Sequence, residues 1–184
     1  MNGIASLLDR PATTRVALIW QELESRCGLV GVKTTPFPHV SWQVTEAYEL
    51  PLLEKVLGSL SKQVQPFTIH TTGLGLFTGE KPILYISIFK DEALMRFHSL
   101  VWEKTNRSAI RPSPYYSSAQ WVPHITLAYN DLNRHNLDCA IQYLAFQSFD
   151  WEILIDNLVF VAQSDNQPPE TVEYHLSSTP AIKT

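Results

Sequence analysis

The chain has 184 residues, 45% of them hydrophobic, enough to bury one sizeable core and short enough to favour a single domain over several. Fourteen Lys and Arg against eighteen Asp and Glu leave a formal charge of -4, which excludes the globally basic face that covers long stretches of duplex and favours a short piece, a terminus or a free nucleotide if the ligand is a nucleic acid. No window approaches the roughly 18 uninterrupted apolar residues of a membrane helix, and no basic segment followed by an apolar stretch opens the chain, so a soluble cytoplasmic protein without membrane attachment is expected.

In chain order, Val16, Ile19, Trp20, Leu23 and Cys27 recur at spacings of three and four with Gly28 just beyond, predicting an amphipathic helix over 14–27 with a glycine stop. After Pro36-Phe37-Pro38, the alternating stretch 39–45 predicts a strand that begins next to a proline. Pro51 suits the first turn of a helix to about 64, with Leu52, Leu53, Val56, Leu57 and Leu60 as its buried face. Strands are predicted near 67–77 and 83–89. Within the first of these, Gly73 and Gly75 lack the setting of a nucleotide-binding fingerprint and predict a bulge or bend.

Asp91 opens a helix to about 105, whose apolar set is Leu94, Phe97, Leu100 and Val101. The Ser-, Pro-, Arg- and Tyr-rich stretch 106–120 predicts a surface loop, in which Arg111, Tyr115 and Tyr116 could contact a phosphate or stack on a base. A strand over 122–129, a helix over 133–146, and strands over 151–162 and 171–176 complete the chain. Cys27 and Cys139 lie far apart in apolar-periodic segments, so the expectation is two buried free thiols in a reducing compartment rather than a disulfide.

Residues 14–90 and 91–177 therefore each read helix, strand, helix, strand, strand, and His39 precedes His124 by 85 positions. This is an internal repeat. It predicts one α+β domain spanning 1–184, made of two pseudo-symmetric lobes, each a small, mainly antiparallel sheet with its helices on the outer face. The cleft between the equivalent strands is the expected site.

On a strand, alternate side chains share a face. His39, Ser41 and Gln43 are expected on one face with Val40, Trp42 and Val44 on the other; in the second copy His124, Thr126 and Ala128 face together, leaving Ile125, Leu127 and Tyr129 to pack. Each strand then offers an imidazole and a hydroxyl about 6–7 Å apart. Displacement at phosphorus has its attacking and leaving oxygens in line on opposite sides, so one group should take a proton while another gives one. Imidazole is suited to both jobs near neutral pH. Hydroxyls can donate to the non-bridging oxygens. No cluster of His, Cys, Asp or Glu stands at metal-ligand spacing, and this chemistry needs no metal and no other cofactor.

Pro38-His39-Val40-Ser41 and Pro123-His124-Ile125-Thr126 resemble the paired signatures of the two-histidine (2H) phosphoesterase superfamily, whose members include 2′,3′-cyclic phosphodiesterases and proteins called 2′-5′ RNA ligases. The resemblance implies His39 and His124 as catalytic residues, and Ser41 and Thr126 as phosphate-binding ones. It implies a metal-independent phosphodiesterase that opens 2′,3′-cyclic phosphates of RNA ends or nucleotides to 2′-phosphates. A monomer is expected, and no feature of the sequence implies a protein partner. RNA ligation in the same pocket, or a non-catalytic RNA- or nucleotide-binding module of the same fold, are the alternatives. The remaining histidines, His70, His98, His135 and His175, read as surface or hydrogen-bonded structural residues. Trp42 reads as core, and Trp102, Trp121 and Trp151 as core or rim.

Overall fold

The computed structural model describes residues 2–163 and 169–177. In chain order its elements are β1 (Asn2–Leu7), α1 (Arg10–Cys27), β2 (His39–Tyr48), α2 (Leu50–Gln63), β3 (Phe67–Phe77), β4 (Ile83–Ile88), α3 (Glu92–Thr105), β5 (Ala109–Pro112), β6 (His124–Ala128), α4 (Leu137–Leu144), β7 (Glu152–Ile155), β8 (Asn157–Ala162) and β9 (Glu170–His175). They form an α+β fold with two sheets, ordered β5-β2-β1-β8-β9 and β6-β4-β3-β7. Every strand pairing is antiparallel. Helices α2 and α3 pack on the first sheet, whereas α1 contacts β6 of the second and packs against α4. A single apolar cluster joins the layers.

The repeat is present, but its unit is not the one the helices suggest. β1, α1 and β2 are matched by β4, α3 and β6: each is a strand, a helix and an antiparallel return to the first strand. The chain then crosses over. After α2, β3 joins β4 in the second sheet; after α4 and β7, β8 joins β1 in the first. The two sheets are therefore not residues 14–90 and 91–177, because each half of the chain supplies a strand to the other's sheet.

Four local differences accompany this. The first strand escaped the sequence pattern because Asn2-Gly3 and Ala5-Ser6 give it little β-character. The stretch 151–162, expected as one strand, divides at Asp156 into β7 and β8, which belong to different sheets. The expected loop 106–120 contains the edge strand β5 and a short 3₁₀ turn, Pro114–Tyr116. The helix expected over 133–146 is two turns, Leu137–Leu144.

Helix ends follow the expected chemistry. Asp9 caps α1 by accepting from the Ala12 amide at 2.9 Å, and its second oxygen accepts from Leu154 on β7 at 2.9 Å. Gly28 ends α1 in the left-handed conformation, φ 70°. Asp91 caps α3 through the Leu94 amide at 2.8 Å. Gly73, with φ 138°, lies at a register shift in the β3–β4 ladder, the bulge expected from the sequence.

The expectation of two free thiols is overturned. Packing of α1 on α4 brings Cys27 and Cys139 to a Cα separation of 5.8 Å, and they form a disulfide across 112 residues of sequence. Spacing along the chain could not reveal this, since the contact exists only after both helices have docked. Below it, the carboxylate of Asp131 accepts from the amides of Val30 and Gly31, both at 2.6 Å. Gly31 is obligatory here: a Cβ would stand 1.9 Å from the Tyr129 carbonyl oxygen.

Two outcomes are expected. Closing a loop of this length removes denatured-state freedom worth about 5 kcal/mol, so Cys27→Ser with Cys139→Ser should lower the urea midpoint and raise the m-value as the denatured chain expands; equal midpoints would deny the bond a structural role. Gly31→Ala must push two backbone segments apart, so its cost should reach at least the about 1–3 kcal/mol of an overpacked core, read by the same denaturation.

Candidate functional site

The two motif strands share one irregularity. In the β1–β2 ladder Ile4 pairs with Gln43 and Ala5 with Ser41, so Trp42 is an extra residue on β2. In the β4–β6 ladder Leu84 pairs with Ala128 and Tyr85 with Thr126, so Leu127 is the extra residue on β6. A bulge resets the alternation of faces. Before it, His39 with Ser41 and His124 with Thr126 face the same cavity; after it, Val44 and Tyr129 take the cavity face. Gln43, expected beside Ser41, instead turns inward, where its carbonyl oxygen accepts from the hydroxyls of Tyr48 and Thr105, each at 2.9 Å. Ala128, expected beside Thr126, is likewise buried. Tyr129, expected in the core, lines the cavity.

The four residues singled out from the sequence thus border one cavity of about 230 Å³. His39 directs Nδ1 at the Phe37 carbonyl at 2.9 Å, and His124 directs Nδ1 at the Val122 carbonyl at 2.7 Å. A carbonyl only accepts, so each Nδ1 carries the proton and donates it. In both copies the partner is two residues upstream, and Nε2 is left for the cavity.

Burial pushes the His39 imidazole below its ordinary value of 6.5, and the Phe37 carbonyl opposes this. His124 is lowered by burial, opposed by the Val122 carbonyl, and lowered further by His39. The imidazoles therefore sense each other's charge: a proton on one disfavours a proton on the other. Ring packing also orients them. Phe77 meets His124 edge-on at 5.1 Å and Tyr85 lies at 5.2 Å. Phe37 meets His39 edge-on at 5.7 Å.

Each motif strand is also held by an indole. The Trp20 N–H donates to the Thr126 carbonyl at 3.1 Å, and the Trp121 N–H donates to the Ser41 carbonyl at 3.0 Å. Trp20, Thr34, Thr35 and Tyr116 complete much of the wall, and no Lys, Arg, Asp or Glu borders the cavity among the described residues. An apolar and hydroxyl-rich wall strengthens the electrostatic effect of the few polar groups aimed inward.

Of the three loop residues considered from the sequence, Tyr116 alone reaches the cavity. Burial raises its phenol above the ordinary value, and the nearby Ser41 side chain opposes this. Tyr115 is 74% exposed. Arg111, in the left-handed region at φ 56°, pairs with Glu46 at 2.5 Å on the surface. Sequence reading missed Trp20 and Tyr129 as cavity residues. Trp20 was assigned to the helix's apolar stripe, and a bulge is what exposes Tyr129. His98 is buried and structural; His175 pairs with Glu173 at 3.7 Å and His135 is exposed. Trp42 and Trp121 are fully buried, Trp151 nearly so.

No helix among the described residues is long and apolar enough to cross a membrane, and no group of three or more His, Cys, Asp or Glu is gathered there as a metal site would require.

Comparison with known proteins places this arrangement. None of the curated protein sequences matches. Among solved structures, the chain is similar to TT0787 of Thermus thermophilus at 17% identity and a TM-score of 0.61, covering 95% of this chain and 97% of that one. It is similar to Kluyveromyces marxianus Usb1 at 12% identity and 0.55, covering 95% and 98%. E. coli LigT, in its complex with 3'-AMP, matches at 14% identity and 0.55, covering 96% and 94%. These likenesses establish the fold. Residues 11–167 match the family model described as the 2'-5' RNA ligase superfamily, and the chain, with its paired motifs on equivalent bulged strands, belongs to that superfamily of two-histidine phosphoesterases.

Proposed function

We propose that the chain hydrolyses 2′,3′-cyclic phosphates, at an RNA end or on a nucleotide, to 2′-phosphates, with His39 and His124 as its acid–base pair and no metal ion. The observation that carries this reading is the matched tautomer: both imidazoles spend Nδ1–H on a backbone carbonyl and leave Nε2 at one cavity. One Nε2 removes a proton from water as its oxygen bonds to phosphorus. The bond from phosphorus to O3′ breaks, and the other imidazolium delivers its Nε2 proton to that oxygen. Ser41 and Thr126 donate to the non-bridging oxygens. Acid, base and oxyanion donors are then all side chains of this protein, which supports chemistry without a metal.

The wall supports the substrate class. Among the described residues no lysine or arginine borders the cavity, which suits a singly charged phosphodiester better than a polyphosphate, and Trp20, Tyr116 and Tyr129 offer ring faces to a nucleobase. E. coli LigT was crystallised with 3'-AMP, which supports a nucleotide-sized ligand here. Product analysis with the four 2′,3′-cyclic nucleotides and a short RNA bearing a cyclic end separates hydrolysis from ligation and from simple binding, and names the bond broken.

The pH dependence follows from the lowered imidazoles. The active free enzyme holds one proton on the pair. Both groups lie below the ordinary 6.5 in the free protein, so above that value the pair is doubly neutral, and kcat/KM should fall with a slope of about −1 in log units. The acid limb appears when the second proton arrives. Bound phosphate carries a negative charge that raises the imidazolium facing it, so the alkaline limb of kcat should lie at higher pH than that of kcat/KM. A kcat/KM optimum well above 7 would contradict the pair.

His39→Ala and His124→Ala should each lose about 10²–10⁴-fold in rate, and the double variant should fall little below the worse single, because groups that act as a unit are not additive. Ser41→Ala and Thr126→Ala should each cost about 1–3 kcal/mol of transition-state stabilisation, less than either histidine. Turnover should survive excess EDTA; its loss, with recovery on adding a divalent ion, would overturn the metal-free mechanism.

A further inference from the structure

We propose that His98, a buried imidazole on α3 outside the cavity, is a positioning residue that holds Ser41 in place for the reaction. The role in turnover rests on the proposed function; the positioning itself does not.

His98 has no exposed surface. A leucine would fill such a place on an amphipathic helix more cheaply, since an imidazole must be desolvated. What it does with its polar atoms therefore needs a reason. Nε2 lies 3.1 Å from the Tyr116 carbonyl oxygen, so Nε2 carries the proton and donates it. Nδ1 has no hydrogen-bond partner, and the Trp42 backbone lies near enough only to favour the charged form. Burial dominates and pushes the imidazole down to about 4, so it is neutral in ordinary conditions. A neutral ring packs flat against an indole without a charge to desolvate. The Trp121 ring lies on it with centroids 3.8 Å apart and planes 3° from parallel.

The two groups that His98 holds both lie against Ser41. Trp121 donates its indole N–H to the Ser41 carbonyl at 3.0 Å. Tyr116, whose carbonyl His98 bonds, lines the same cavity as Ser41, and the Ser41 side chain is near enough to oppose the rise of its phenol. The segment 113–121 that carries both has only the short turn Pro114–Tyr116 for regular structure. Its remaining attachments include Lys90, whose ammonium donates to the Trp121 carbonyl, and the Ser113 amide, which donates to the Val44 carbonyl at 2.9 Å. One ring thus sets the height of the indole through its face and the height of the tyrosine through its edge. Shifts of about 1 Å in a positioning group cost about 10²-fold in rate.

The test is a series at position 98 read in two ways. His98→Phe keeps the ring stack and removes the donor. His98→Gln keeps a flat face and places an amide N–H where Nε2 was. The first readout needs no substrate: the indole N–H resonances of the five tryptophans in a ¹⁵N spectrum, with Trp121→Phe assigning the one in question. His98→Phe should shift the Trp121 signal and His98→Gln should restore most of it. The second is kinetic: His98→Phe should lower kcat on a 2′,3′-cyclic nucleotide by about 10-fold to 10²-fold with KM within about twofold, and His98→Gln should recover most of the loss. Ser41→Ala added to His98→Phe should lower the rate little further, because the two act through one hydroxyl.

Unchanged indole resonance and unchanged kcat in folded His98→Phe would overturn the proposal, as would losses that multiply with Ser41→Ala. If His98→Phe does not fold, Trp121→Phe carries the same kinetic expectation, since it removes the indole donor to Ser41. A wild-type protein that turns over no cyclic nucleotide would refute the proposed function, and the resonance series would still decide whether His98 positions the segment.

Discussion

Both motif strands must serve two masters. An unbroken strand shows every second side chain to each side, so a strand that gives a histidine and a hydroxyl to a cavity would also give it the next residue but one. In this protein that continuation is interrupted at the same point in both copies. The extra residues Trp42 and Leu127 stand 85 positions apart, as do His39 and His124, Ser41 and Thr126, and Val44 and Tyr129. Each extra side chain stays in the core, Trp42 with no exposed surface and Leu127 with almost none. The bulge thereby turns Gln43 and Ala128 into the core and gives the next cavity position to Val44 and Tyr129. Everything else in the site is arranged around that interruption.

The exchange of strands between halves explains how two such sites of attachment are held at a fixed separation. β3 leaves the first half to complete the second sheet, and β8 leaves the second half to complete the first. Neither sheet forms from one half of the chain alone, and one apolar cluster packs the two together. Trp20 on α1 and Trp121 before β6 add crossed hydrogen bonds to the opposite motif strands. The Cys27–Cys139 bond and the Asp131 carboxylate anchor the segment that supplies Thr34 and Thr35 to the wall.

This also marks what was legible in the sequence. The two tetrapeptides, the helix caps at Gly28 and Asp91 and the bulge at Gly73 follow from local chemistry, and each stands where the residues indicated. The lobe boundaries did not follow, because β1 is short and rich in small residues, and because helices are the loudest periodic signal and drew the repeat one strand out of phase. Gln43 and Tyr129 were placed on the wrong faces for one reason: strict alternation was carried through a bulge that no glycine announces at Trp42 or Leu127. The disulfide, the cavity face of Trp20 and the stack of His98 on Trp121 are tertiary facts. A residue's spacing within its own helix says which face it shares, and says nothing of what the fold brings against that face.

In the proposed reaction a symmetric frame must nevertheless do asymmetric work, since the attacking oxygen loses a proton and the leaving oxygen gains one. The inner layer alone cannot distinguish the ends: each copy offers an imidazole with the same tautomer and a hydroxyl at the same offset. The distinction enters from behind. His124 sits against two rings, Phe77 and Tyr85, and Tyr85 can approach only because residue 75 is glycine, where a Cβ would lie 2.3 Å from the ring. His39 meets Phe37, and the carbonyl of Ser41 beside it accepts from the Trp121 indole. The charge coupling between the imidazoles adds the rule that a first proton disfavours a second. Together these let two equivalent groups share one proton in unequal surroundings, which is the least that acid–base catalysis by a duplicated motif requires.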